Sequence, residues 1–445
     1  MVVLIKTLQL ILCFCILIVM HELGHFFFAK LFKIRVSKFC LFFDPWVKPL
    51  KLFKWHGTDF CIGWLPLGGY VNIEGMVDES KKAADLGAEI QPWEFRAKPA
   101  WQRLLVMVGG VLVNFILALI IYAMVMFKWG ETYVPVENMT QGMTFNEQAE
   151  NLGFRDGDIL LGTETFKLRE FDTNESISDA YRAVSTSKTA TVRRDGEEVT
   201  LNLPGDLNLL EMMKATPPFM LTRIPTVVDS VIMGGPAALA GIVAGDTIIN
   251  IGGKNVDSWT DIVSYLKTDV EALATLPVVV KRVENGIDTV SVTLTEDKTM
   301  AVTYHNPMAE YETTTVNYGF IESFPAGTER GWRVLKGYVG DLKYLFTKEG
   351  AQSIGSFGTI GSLFPAEWDW QRFWELTAFI SLMLAFMNFL PIPALDGGYI
   401  FMTLIEVVTR RKMSEKFVEK ANTVGMYLLF ALMAYAIFND IIRFM

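Results

Sequence analysis

Four stretches of this chain, roughly 2–28, 103–127, 373–395 and 420–443, are apolar enough and long enough to cross a membrane. A helix needs ~20 such residues to span a hydrocarbon core of about 30 Å. Backbone inside lipid must satisfy its own hydrogen bonds, so each stretch is expected to be a spanning helix. The chain as a whole is 51% hydrophobic yet 20% charged, with mean hydropathy +0.30. That balance is too apolar for a soluble multidomain protein and too charged for an all-membrane one. Spanning helices plus folded aqueous domains are expected.

The first stretch ends in His21-Glu22-Leu23-Gly24-His25, followed by Phe26, Phe27 and Phe28. HExxH on a helix puts two imidazoles one turn apart on one face, where both reach a single metal ion. The intervening Glu22 is the general-base candidate, taking a proton from metal-activated water. Two histidines and a glutamate in a membrane helix are costly and point to function. The chain has only four histidines, and this motif uses two of them. Cleavage of the first stretch as a signal peptide would sever the motif, and no small-x-small site precedes it, so it is read as a retained helix.

Lys30, Lys33, Arg35, Lys38, Lys48, Lys51 and Lys54 follow the first stretch, and Arg410, Arg411, Lys412, Lys416 and Lys420 precede the fourth. By the positive-inside rule both loops are cytoplasmic. Both termini and the large 128–370 region are then outside, with His21 and His25 toward the cytoplasmic end of their span. Between the first two spans, residues 60–71 are apolar, but Pro66 and the Gly68-Gly69 pair oppose a helix. A strand or hairpin dipping into the membrane interface is expected, its open edge able to take an extended peptide as an added strand. In the second span, Gly109 and Gly110 allow close helix approach. Asn114 is suited either to bonding a neighbouring helix or to touching substrate.

An internal repeat lies in the outer region. Ala149 to Asp158 reads AENLGFRDGD and Ala237 to Asp246 reads AALAGIVAGD. Each precedes a strand-like run (Ile159–Leu161, Thr247–Ile251) and then a short helix near Ser176–Val184 or Thr260–Leu266. Two similar small domains follow, over 128–216 and 217–300. Their pattern resembles PDZ domains, which hold extended chains in a strand-helix groove. Beyond them, 301–372 is read as a linker whose residues 332–346 form an amphipathic helix on the membrane surface.

A catalytic zinc site needs a third protein ligand beside the two histidines. The third span closes on Asn388-Phe389-Leu390-Pro391-Ile392-Pro393-Ala394-Leu395-Asp396-Gly397-Gly398. Asp396 lies at the depth of His21 and His25 under the topology above, and Pro391 and Pro393 break the helix to free it. It is the ligand candidate; the alternative is a turn aspartate ahead of Gly397. Residues 396–419 are expected to be a cytoplasmic loop and 420–445 the last span.

HExxH in the first span, GxxxN in the second and NxxPxPxxDG in the third together resemble the site-2 protease family of intramembrane zinc metalloproteases. The paired PDZ-like units resemble its bacterial sigma-E-regulator (RseP-type) subgroup. The resemblance covers essentially the whole chain. It implies a polytopic α-helical membrane protein of four transmembrane helices, a membrane-associated β segment and two extracytoplasmic PDZ-like α+β domains. It implies Zn2+ held by His21, His25 and Asp396, with Glu22 as base, in a bacterial inner membrane. Asn388, Gly68 and Gly69 would contact substrate, with Asn114 and Tyr70 as further candidates. The PDZ-like pair would act as a size filter, so that single-span substrates such as anti-sigma factors or signal-peptide remnants are cut after a first, site-1-type protease trims them. One departure is Gly358-Thr359, where the family pattern leads one to expect a glycine-proline pair.

Net charge is −9, which suggests no nucleic-acid partner. None of the four cysteines forms a CxxC pair, so neither a thiolate zinc site nor a disulfide framework is indicated. Two other function classes compete: a membrane-anchored PDZ scaffold with a structural metal site, and a metal transporter. The intact motif argues against a degenerate scaffold. A transporter would show repeated helical halves, whereas the repeat here is in the aqueous region.

Overall fold

A computed structural model describes residues 1–66, 68–76, 89–171, 174–283, 286–306 and 311–444. The chain forms two compact units, one of residues 1–130 with 317–445, the other of residues 131–316. The first unit opens with helix α1 (Val2–Leu31), one continuous rod through the HELGH motif. Strands β1 (Val36–Leu41), β2 (Leu50–Trp55), β3 (Thr58–Ile62) and β4 (Tyr70–Ile73) follow, then helix α2 (Ala100–Trp129). Pro99 starts α2 and Gly130, at φ 68°, ends it, the usual asymmetry of helix punctuation.

The four strands make one sheet in the order β2-β3-β1-β4. β2 and β3 are joined by the two-residue turn His56-Gly57, both at positive φ, as a tight hairpin requires. Of the strand or hairpin expected within 60–71, strands form and do not pair with each other: the stretch holds the end of β3 and the start of β4, β3 parallel to β1 and β4 antiparallel to its other side. The segment between β3 and β4 passes across β1, which lies between them; Leu67 in that segment lies outside the described residues. β4 is left as a sheet edge. A correction on the cysteines follows from the same register. Cys40 faces Cys61 across the β1–β3 ladder with a Cα–Cα separation of 4.6 Å, and the two are joined as a disulfide. Their spacing in sequence gives no sign of this.

The second unit contains β5 (Glu131–Tyr133), β6 (Met143–Phe145), α3 (Glu147–Glu150), β7 (Ile159–Thr163), β8 (Phe166–Lys167), α4 (Asn174–Thr186), β9 (Thr189–Arg194), β10 (Glu197–Asn202), α5 (Leu209–Lys214) and β11 (Met220–Thr222). It continues with β12 (Val228–Val231), α6 (Pro236–Leu239), β13 (Thr247–Ile251), β14 (Lys254–Asn255), α7 (Trp259–Thr268), β15 (Thr275–Arg282), β16 (Gly286–Thr293), β17 (Val302–Tyr304) and β18 (Thr314–Val316). Its two four-stranded sheets, β10-β9-β7-β8 and β14-β13-β15-β16, share one order when the first is read in reverse. The repeat extends to single atoms. Arg194 bonds the buried Asp158 and the Gly153 carbonyl; Arg282 bonds the buried Asp246 and the Gly241 carbonyl. In both copies the ion pair spans 36 residues. A buried carboxylate is tolerable only when paired in this way. β5 and β18 pair antiparallel, Glu131 opposite Val316, so the chain enters and leaves this unit side by side.

The first unit resumes with α8 (Ser323–Asp341), α9 (Lys348–Ser353), α10 (Phe357–Ser362), α11 (Trp370–Phe389), α12 (Asp396–Thr409) and α13 (Glu415–Phe444). α8 begins nine residues before the amphipathic segment expected at 332–346. It packs along α2 with Val334 and Leu335 among Ala118, Ile121, Tyr122 and Val125, and Arg330 pairs with Glu375 of α11. Three helices, α1, α2 and α13, are long and apolar enough to cross a membrane among the described residues. α11 is not one of them: it has 20 residues, with Arg372 and Glu375 in its first two turns. The loop expected from 396 onward is instead largely helix, since α12 begins at Asp396. Asp440 of α13 accepts hydrogen bonds from the Ser356 and Thr359 backbones and caps the glycine-rich segment at α10.

Candidate active site

Two helices bring their smallest residues together where α1 crosses α2. Gly24 lies against the backbone of Gly109 and Gly110, with no room for a Cβ on either side. A Cβ on Gly110 would stand 2.7 Å from His21 Cε1 and 2.9 Å from its Nε2. This close approach lets α2 serve both histidine rings. His25 is buried, and its Nδ1–H donates to the Val106 carbonyl at 2.8 Å. That bond leaves the Nε2 lone pair for another partner, and Nε2 lies against Gly110 of α2, close enough that a Cβ there would collide with it.

α11 stops at Phe389, and the turn 390–395 returns the chain to begin α12. Ala394 in this turn has φ 74°, a conformation that costs a non-glycine residue about 1–2 kcal/mol. Its N–H donates to Asn422 Oδ1 of α13 at 3.4 Å, and Asn422 Nδ2 donates to the Tyr399 hydroxyl at 2.8 Å. The turn delivers Asp396 to the histidines. Asp396 Oδ2 stands 3.1 Å from His21 Nε2 and 3.2 Å from His25 Nε2; the two Nε2 atoms are 3.3 Å apart.

These three atoms fit a metal ion. A tetrahedral ion with bonds of ~2.0–2.1 Å holds its ligand atoms ~3.3 Å apart, close to all three separations. Asp396 Oδ2 is buried and satisfied by no hydrogen bond, an expensive state unless a cation meets it. The three residues are the one group of this kind among the described residues. Glu22 shares the turn of α1 between the histidines and lies within electrostatic range of both and of Asp396.

The remaining candidates are distributed around this centre. Gly69 abuts α1: a Cβ there would fall 2.6 Å from Ile18 and 3.5 Å from Glu22 Cγ, so the approach to β4 runs directly beside Glu22. Gly68 lies against the Phe43 ring. Tyr70 stacks on Phe43, and its hydroxyl, hydrogen-bonded to Asp44 in a partly desolvated setting, titrates well above the usual tyrosine range. Asn388 is half-buried in the last turn of α11. Asn114 is buried on α2 with Nδ2 3.4 Å from His21 Nδ1, and its backbone carbonyl accepts from Ser381 of α11. Sequence reasoning missed the Val106 carbonyl, Tyr399 and Asn422. Only Asn422 carried a signal, as an amide within an apolar helix.

The sequence profile of peptidase family M50 matches residues 9–432. A Vibrio cholerae protein named "Putative zinc metalloprotease" is 27% identical, with 96% of each chain covered. The Escherichia coli regulator of sigma-E protease RseP is also 27% identical over 96% of each chain. A Thermotoga maritima protein with the same name as that of Vibrio is 25% identical, over 96% of this chain and 97% of its own. A match spanning nearly the whole chain leaves one conclusion: this protein is a metalloprotease belonging to peptidase family M50, the site-2 proteases.

Proposed function

We propose that this chain cleaves single-span membrane proteins at a zinc centre made by His21, His25 and Asp396. The convergence of three ligand atoms from two distant helices, at separations of 3.1, 3.2 and 3.3 Å, carries the reading. Zinc, when bound, supplies Lewis acidity that polarises a peptide carbonyl and makes water beside it more acidic. The Glu22 carboxylate takes a proton from the attacking water as the new C–O bond forms. It returns that proton to the departing amine as the C–N bond breaks. A helical substrate has its carbonyls tied up in hydrogen bonds to amides four residues on, so it must unwind before it reacts. The open edge of β4, beside Glu22 at Gly69, offers replacement backbone bonds to the extended form. Gly68 and Tyr70 flank Gly69 on that path, and Asn388 is assigned to substrate as a further contact.

On this reading α11 joins α1, α2 and α13 as a fourth span, its Glu375 paired with Arg330 of α8 so that neither charge meets lipid alone. The loop arginines and lysines favour both termini and the 131–316 unit outside a bacterial inner membrane. The duplicated 131–316 unit is PDZ-like and excludes substrates that still carry a large outer domain. Those substrates, anti-sigma factors or signal-peptide remnants, arrive already cut by another protease. The RseP name borne by relatives supports that substrate class. Metal analysis tests the ligand set: wild type should carry about one zinc per chain, and Asp396→Ala and His21→Ala well under half. Full zinc occupancy in both variants would refute it.

A further inference from the structure

His21 and His25 need the same thing from their surroundings. A histidine that gives Nε2 to a metal must keep its proton on Nδ1, and that N–H needs an acceptor. For His25 the acceptor is the Val106 carbonyl of α2. For His21 the group in the corresponding place is the Asn114 side chain, two turns further along the same helix. Because α1 and α2 run antiparallel across the Gly24–Gly109 contact, His25 falls beside Val106 and His21 beside Asn114.

The Asn114 amide now presents Nδ2 to the ring, and its Oδ1 is buried without a partner. An amide's oxygen and nitrogen occupy nearly the same volume, and which one faces a neighbour follows the hydrogen-bond network. Turning the amide over puts its unpartnered acceptor on the His21 Nδ1–H. We propose that Asn114 is a positioning residue for the metal centre: its Oδ1 accepts from His21 Nδ1–H, fixing the tautomer and the ring angle that give Nε2 to the metal. This rests on the zinc reading above. It assigns Asn114 to the ligand rather than to the substrate. The Ser381 hydroxyl, bonded to the Asn114 backbone carbonyl at 2.7 Å, anchors that point of α2 to α11 while the side chain turns toward His21.

The test uses purified full-length wild type, Asn114→Leu and Asn114→Asp. Zinc affinity is measured by competition with a chromophoric chelator, and the visible spectrum is recorded after cobalt substitution. Loss of an outer partner of a ligating histidine weakens metal binding ~10–100-fold. That loss is expected for the leucine variant, with an altered cobalt spectrum. The aspartate variant keeps an acceptor oxygen and should bind within about threefold of wild type. A role confined to helix packing would not be rescued by aspartate in this way. Should Asn114→Leu fail to fold, the smaller Asn114→Ala carries the same expectation. Wild-type affinity and an unchanged spectrum in the leucine or alanine variant would overturn the assignment. Wild type that binds no zinc would instead overturn the reading on which it rests.

Discussion

The far side of each histidine ring meets a different kind of acceptor, and that difference shows what sequence can carry. HELGH declares its ligands because both imidazoles and Glu22 lie within five residues, a local geometry that any helix produces. Val106 has no such signature, because what acts is its carbonyl, a group every residue has. Residue-scale electrostatics are also clear outside the membrane helices. Glu164 accepts from the Lys188 and Thr189 amides and the Thr189 hydroxyl at 2.6–2.7 Å, which lowers its pKa from 4.5 to about 2. The folded pKa lies below the unfolded one, so the stabilisation is present above about pH 4.5 and is lost as pH falls toward 2. Hydrogen exchange in the full chain should show the Lys188 and Thr189 amides losing protection across that window. Glu164→Gln should leave them weakly protected throughout. Identical, pH-independent protection in both proteins would contradict this.

At the scale of elements, the Pro391–Leu395 turn matters as much as the helices it joins. Asn422 on α13 holds Ala394, two residues before Asp396, and also Tyr399, three residues after it. Asn422→Leu should cost about 0.5–1.5 kcal/mol, the net contribution of a hydrogen bond lost from a part-buried site. It should appear as a lower thermal midpoint together with weaker zinc retention. An unchanged midpoint and normal zinc content would remove Asn422 from this role. NxxPxPxxDG was readable as a break that frees Asp396, but not as the start of a new helix, because two prolines so close suggest continuing loop. Residues 60–71 supply two strand ends that do not pair with each other, the end of β3 and the start of β4, rather than a hairpin, for a related reason. Strands adjacent in sequence usually pair, yet here β1 lies between β3 and β4, and only the three-dimensional register shows it. That register also set Cys40 against Cys61. α8 starts ahead of the 332–346 stripe because Gly327 and Gly331, which seat it on α2, add nothing to an apolar stripe.

Across the whole molecule, the repeat was legible because both copies keep the Gly-Asp turn; the arginines that pair with those aspartates lie 36 residues on and stand out only in the fold. The antiparallel β5–β18 pair makes the 131–316 unit an insertion with adjacent ends. If that unit acts as a size filter, replacing Glu131–Val316 by a short flexible linker should let the enzyme cut single-span substrates that retain a bulky outer domain. Cleavage that still requires trimming would place the filter elsewhere.

The most direct test of the account compares purified wild type and Glu22→Gln on a single-span substrate whose outer domain has been removed, with zinc measured in both. Glu22 is assigned to proton transfer and not to metal binding. The account therefore predicts equal zinc in the two proteins, cleavage by wild type, and a loss of at least ~100-fold in the variant, the scale of a missing general base. Comparable cleavage by zinc-replete Glu22→Gln would contradict it.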